Sequence, residues 1–229
     1  MHGLREALGE IAALEAAITD AVEVLICPPA TLLPLVPPGR VQLGGQDCHA
    51  AQKGAHTGDL SAEMLAEAGA RYVIVGHSER RANHGETSSQ VKAKAEAALA
   101  AGLVPIVCVG ETEAQRSAGH ERQVIADMLT ASLPAEGPVV VAYEPVWAVG
   151  TGVVASPEQI GEMHLLIRQI VGPGTRILYG GSVKPGNADQ VFSVPHVDGA
   201  LVGGASLRAD DFLPIIAALG RAQALGTIG

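Results

Sequence analysis

Apolar residues recur along the 229-residue chain at two spacings that alternate from one end to the other. Over residues 4–19, Leu4, Ala7, Leu8, Ile11, Leu14 and Ile18 follow helical spacing with Glu15 on the polar side, which predicts an amphipathic helix. The β-branched run over 22–27 predicts a short strand, stopped by Pro28-Pro29. A second strand is predicted over 41–46, followed by a long polar stretch over 47–58. Helices are then predicted over 59–69, 87–101, 113–130, 157–171, 185–192 and 210–219. Strands are predicted over 72–75, 104–109, 139–143, 177–179 and 197–202. The polar residues after Gly76 open one further helix, and Ser156-Pro157-Glu158-Gln159 fits a capping box with Pro at the first helical position.

The strands are short and apolar on both faces, and helices separate them. That pattern predicts a parallel sheet buried on both sides. Seven strands and eight helices, beginning with a helix, suggest a (β/α)8 barrel whose first strand is missing from this chain. An open doubly wound sheet is the rival, but its Gly-rich fingerprint after the first strand is absent. No linker or charge block divides the chain, so a single domain over 1–229 is expected.

Composition narrows the function. With 48% apolar and 17% charged residues the chain can bury a large core, and disorder as its main state is excluded. The 28 Gly and 14 Pro have no fixed period, which suits many tight connections. A formal charge of −9, with Lys53, Lys92, Lys94 and Lys184 the only lysines, argues against nucleic acid as a partner. An anionic ligand must then be held locally, by backbone N–H groups or a few side chains. Three cysteines without CxxC spacing predict a reducing, cytoplasmic home. Charges in the first twenty residues break any signal-peptide core, and no apolar run is long enough for a membrane span.

Four junctions after strands carry candidate chemistry, since functional groups of such barrels sit at strand C-termini. His77, in Gly76-His77-Ser78-Glu79-Arg80-Arg81, lies where a helix N-terminus disfavours imidazolium, so a neutral ring can donate to a substrate oxygen. A histidine satisfied by local backbone is the equally weighted alternative. Glu144 ends a buried strand, where a carboxylate is expensive unless it works or is paired. The apolar segment after it ends in Gly150-Thr151-Gly152 and suits a closing lid. Gly180-Gly181-Ser182 and Gly203-Gly204-Ala205-Ser206 follow the last two strands, the recurring phosphate position of such barrels.

Together these segments resemble the triosephosphate isomerase family. The residues from Tyr143 to Gly152 look like its signature and lid, those from Gly76 to Arg81 like its electrophile segment, and the two Gly-Gly segments like its phosphate loops. The likeness runs in order from residue 1 almost to the C-terminus. It implies interconversion of glyceraldehyde 3-phosphate and dihydroxyacetone phosphate through an enediolate, in glycolysis and gluconeogenesis. Glu144 is then the base and His77 the neutral electrophile. Gly150, Ser182, Gly203 and Gly204 offer N–H groups to the phosphate, and no cofactor or metal is required. Glu79 and Cys108 fall at family positions behind the site. The stretch over 46–58 resembles the family's interdigitating loop, which implies a homodimer with Thr57 reaching the partner's site.

One departure shapes the expectation. In the family a first strand leads into a segment resembling Asn-x-Lys, and this sequence begins just after the corresponding position, so the first strand and the substrate-contacting Asn and Lys are missing. Either Met1 is internal to a longer chain, or the strands over 22–27 and 197–202 carry unpaired edges. Loss of that cation is expected to lower kcat by on the order of 10²–10³-fold. The alternatives are a catalytically weak or inactive phosphate-binding scaffold and another sugar-phosphate isomerase. Arg80 and Arg81 are expected to be ion-paired within the fold. Met64, Met128 and Met163 are expected in helix packing, and His84, His120, His164 and His196 at the surface or locally satisfied. Cys48, His49 and His56 form no expected metal site, because no carboxylate-plus-His spacing completes the set.

Overall fold

The computed structural model describes residues 2–148 and 154–226. The chain forms two compact units, Met1–Val107 with Ala131–Val139, and Cys108–Thr130 with Val140–Gly229. In the first unit β1 (Leu25–Ile26), β2 (Gln42–Gly45), β3 (Tyr72–Val75) and β4 (Val104–Val109) pair in parallel and in sequence order, β4 running on into the second unit. Their registers are Leu25 with Gln42, Gly44 with Tyr72 and Tyr72 with Val104. In the second unit β5 (Val140–Tyr143) pairs in parallel with β6 (Arg176–Tyr179), and β6 with β7 (Gly199–Ala200). Val73, Val75, Val107, Val141, Ala142 and Ile177 are fully enclosed. Burial on both faces is why these strands read as continuous apolar runs.

The first unit also holds α1 (Leu8–Ala17), α2 (Ala62–Glu67), α3 (Ser78–His84) and α4 (Ser88–Ala100). The second holds α5 (Glu113–Ser117), most of α6 (Glu121–Ser132), α7 (Pro157–Val171), α8 (Ala188–Phe192) and α9 (Ala209–Ala224). Thr87, Thr112 and Ser156 each close a capping box with the Gln three residues on, satisfying N–H groups that the helix start would leave orphaned. Among the described residues no helix is long and apolar enough to cross a membrane.

Several elements differ from the sequence pattern for local reasons. The helix expected over 113–130 is two helices, because Gly119 takes φ +73 and ends the first. The helix expected from residue 59 starts at Ala62, where the Ser61 hydroxyl caps it by accepting the Met64 N–H. The first helix starts at Leu8 after a 3-10 turn over Arg5–Ala7, and Leu4 is exposed rather than on its apolar face. Only Gly199–Ala200 of the run over 197–202 is laddered. Met163 is buried as expected, whereas Met64 is exposed.

Candidate active site

In the second unit, β5 delivers Glu144 to its C-terminal end. The Glu144 N–H donates to the Val109 carbonyl at 2.8 Å, and the Gly180 N–H donates to the Tyr143 carbonyl at 2.7 Å. Glu144 is 2% exposed. Two glycines make its seat. A Cβ on Gly110 would overlap the Glu144 carbonyl oxygen, and one on Gly180 would lie 2.7 Å from the Glu144 Cγ. The first half of Gly180-Gly181 therefore clears space for the carboxylate, a duty the phosphate-loop reading did not assign to it. Gly181 clears space in turn for the Tyr179 hydroxyl.

A second carboxylate, Glu111, is fully buried behind the segment that follows Glu144. Its Oε1 accepts from Arg116 at 2.9 Å, from the Trp147 indole N–H at 2.9 Å and from the Tyr143 hydroxyl at 3.1 Å. Its backbone carbonyl accepts the Val146 N–H at 3.0 Å. The Arg116 guanidinium lies over the Trp147 ring, 5.4 Å from its centroid. One carboxylate thus anchors the exit of β5. Burial, then the Glu111 charge, push the Tyr143 phenol up, so it stays a donor. Sequence reasoning missed Glu111, although a carboxylate after the apolar β4 run is the same signal that marked Glu144.

Ser182, Gly203 and Gly204, expected from the sequence to meet a phosphate, also lie in the second unit. The Asn187 side chain donates to the Ser182 carbonyl at 3.0 Å and accepts the Lys184 N–H at 2.8 Å, which ties that turn down. Gly203 and Gly204 are exposed at the start of a 3-10 turn, where the Gly203 carbonyl accepts from the Ser206 hydroxyl at 2.7 Å. Gly150, and with it most of the expected lid, lies outside the described residues.

In the first unit, His77 caps α3. Its Nδ1 accepts the Glu79 N–H at 3.2 Å. A ring that accepts at Nδ1 carries its proton on Nε2, so His77 is neutral in this arrangement and presents Nε2–H as a donor. Arg81 holds the same turn, donating to the Gly76 carbonyl at 2.8 Å and to the hydroxyls of Ser88 and Ser132 at 3.2 Å. Arg80 joins a half-buried cluster with Asp47, Glu86 and Lys94. Lys94 Nζ reaches both Asp47 oxygens at 2.8 Å, and Arg80 Nε reaches Asp47 at 2.8 Å. Arg80 is therefore ion-paired within the fold, as expected, whereas Arg81 is held by a carbonyl and two hydroxyls. Burial pushes the Asp47 carboxyl up, against the pull of Lys94. Thr57 is exposed on a turn of this unit, and Glu79 is exposed as well.

Known proteins were compared with this architecture. The family model described as triosephosphate isomerase matches residues 1–219. A curated triosephosphate isomerase of Ruegeria pomeroyi is 56% identical over 238 residues, covering 97% of this chain and 95% of that protein. One from Afipia carboxidovorans is 53% identical, covering 94% and 92%. The crystal structure of triosephosphate isomerase from Bartonella henselae superimposes with a TM-score of 0.88 at 44% identity, covering 95% of this chain and 94% of that one. That match shows the α/β TIM-barrel fold expected from the strand pattern, and it does not favour the scaffold or the other sugar-phosphate isomerase. The chain belongs to the triosephosphate isomerase family.

Proposed function

We propose that the chain interconverts glyceraldehyde 3-phosphate and dihydroxyacetone phosphate with Glu144 as the base and His77 as the neutral electrophile. In this reading Glu144 takes a proton from the carbon α to the carbonyl and returns it to the neighbouring carbon. His77 Nε2–H donates to the oxygen on which charge develops, stabilising the enediolate. Backbone N–H groups of Gly150, Ser182, Gly203 and Gly204 hold the phosphate. The chemistry moves protons only and calls on no cofactor or metal. The observation that carries the reading is the Glu79 N–H on His77 Nδ1, which leaves the ring the donor that this chemistry needs. The buried seat of Glu144 on Gly110 and Gly180 supports the other half.

The working form in this reading is a homodimer in the cytoplasm, with the turn around Thr57 reaching the partner. Coupled-enzyme kinetics in both directions tests the reaction. Glu144→Gln is expected to lower kcat by on the order of 10²–10⁴-fold with little change in the binding of a phosphoglycolate-like dianion. His77→Gln is expected to lower it by on the order of 10²–10³-fold. Activity unchanged in Glu144→Gln overturns the assignment. Sedimentation of the parent and of Thr57→Glu tests the dimer.

A further inference from the structure

On the reading that the Ser182 N–H meets the substrate phosphate, we infer that Asn187 is the positioning residue for that contact. Its side-chain amide grips the backbone that follows Ser182. Nδ2 donates to the Ser182 carbonyl at 3.0 Å, and Oδ1 accepts the Lys184 N–H at 2.8 Å. These groups belong to the two peptide units on either side of Val183. A primary amide carries a donor and an acceptor on one rigid plane, so a single side chain holds both units at once.

An ordinary helix cap does not account for this arrangement. Asn187 occupies the N-cap position of α8, where an Asn ordinarily accepts the second or third N–H of its own helix. It makes no such bond. The side chain reaches back into the preceding turn instead. Residues 182–184 belong to no helix or strand, so no ladder fixes them. Upstream, the Gly180 N–H is fixed on the Tyr143 carbonyl at 2.7 Å, and Gly181 leaves no room for a side chain beside the Tyr179 hydroxyl. Downstream, Val183 is buried and Asn187 clamps both of its peptide units. The Ser182 N–H is thus strung between two fixed points.

The clamp has a firm footing. Ala188, Val191 and Phe192 of α8 are buried, and the Asn187 and Ala188 N–H groups both donate to the Lys184 carbonyl at 3.1 Å. Asn187 therefore passes the position of a packed element to a segment that has no regular structure of its own. The turn at Gly203 uses the same device, since its carbonyl accepts from the Ser206 hydroxyl at 2.7 Å. In both turns a side chain further along the chain grips the carbonyl of the residue that faces the phosphate. Aim matters because an N–H bond weakens steeply once its angle falls below about 120°. One hydrogen bond to an ionised group is worth about 10–100-fold in affinity.

The test compares glyceraldehyde 3-phosphate with glyceraldehyde, which offers the same proton transfer without the phosphate. In Asn187→Ala, kcat/KM for the phosphorylated substrate should fall about 10–100-fold, and 2-phosphoglycolate should bind more weakly by a similar factor in calorimetry. The value for glyceraldehyde, followed by NMR as exchange of the α-hydrogen in D2O, should stay within about twofold. A merely structural role would lower both substrates alike. Asn187→Ser, whose hydroxyl suits a helix start but cannot span both peptide units, should give the same pattern with unchanged circular dichroism. Asp189→Asn removes the exposed ion pair of α8 with Arg221 and should leave both substrates unaffected. Three results overturn the inference: equal losses on both substrates, a dianion affinity within about twofold of the parent in both Asn187 variants, or a loss in Asp189→Asn that matches Asn187→Ala. A parent that binds 2-phosphoglycolate no better than glycolate sinks the phosphate reading itself, and that result shows before any substitution is made.

Discussion

Lowering the pH towards 5 should destabilise the second unit through a single buried ring. His164 on α7 is 0% exposed. Its Nδ1–H donates to the His196 carbonyl at 2.9 Å, and His196 takes φ +68 there. The edges of Tyr143 and Tyr179 pack around it, with ring centroids at 5.9 and 6.3 Å. Burial pushes the His164 pKa down to about 4 from 6.5; the hydrogen bond to His196 pulls the other way, and the charges of Arg168 and His196 add to the lowering. The unfolded chain therefore binds a proton at this residue over a pH range in which the folded chain does not. Stability is unaffected well above the unfolded value and falls as pH drops through 6.5 towards 4. The full loss is about 3 kcal/mol, of which about 2 kcal/mol has been lost by about pH 5.

Trp147 is the only tryptophan and belongs to the same unit, so its fluorescence reports this unfolding directly. Urea melts at about pH 8 and about pH 5 should be run on the parent and on His164→Gln, whose amide can still donate to His196 but cannot titrate. The stability gap between the two proteins should shift by about 2 kcal/mol in favour of the variant at the lower pH. Parallel pH profiles, with a shift below about 0.5 kcal/mol, would refute the reasoning and show that His164 finds a partner for its charge.

Three further substitutions probe the seats of the functional groups. Gly180→Ala places a methyl 2.7 Å from Glu144 Cγ and 3.2 Å from the Tyr143 carbonyl; it should lower kcat by on the order of 10²-fold through misplacement, against only about 1–3 kcal/mol of stability in the melt. Glu111→Gln leaves Arg116 without its anion, which should cost about 3 kcal/mol and shift the Trp147 emission, because the indole N–H loses a charged acceptor. Lys94→Met leaves Asp47 and Glu86 sharing Arg80 in a half-buried site and should cost about 2 kcal/mol; the double variant with Asp47→Asn should recover part of it, and additive losses would mean the pair is uncoupled.

The strands and the candidate residues at their ends were legible in the sequence for one physical reason, and the missed features for others. A strand buried on both faces is an apolar run, and a polar residue at its end stands out; Val140–Tyr143 followed by Glu144 and Tyr72–Val75 followed by His77 are both of this kind. Glu111 follows β4 in the same way, yet what makes it matter is the convergence of Arg116, Trp147 and Tyr143 on one oxygen, up to 36 residues away. Spacing along the chain cannot express such a convergence. Asp59 departs from the sequence pattern for a different reason: the turn at Gly58 leaves it outside the helix that Ser61 caps. The histidines show the same limit from inside. His77 and His164 are each fixed by one backbone hydrogen bond, but His77 accepts through Nδ1 while His164 donates from it. His77 stays half-buried at a strand end and keeps an Nε2 donor, whereas His164 is sealed between two tyrosines with its Nε2 an acceptor. What separates a residue suited to polarise a carbonyl from one that records pH in the core is therefore which ring nitrogen the backbone claims. That choice is made by turn geometry, which the identity of the residue does not encode.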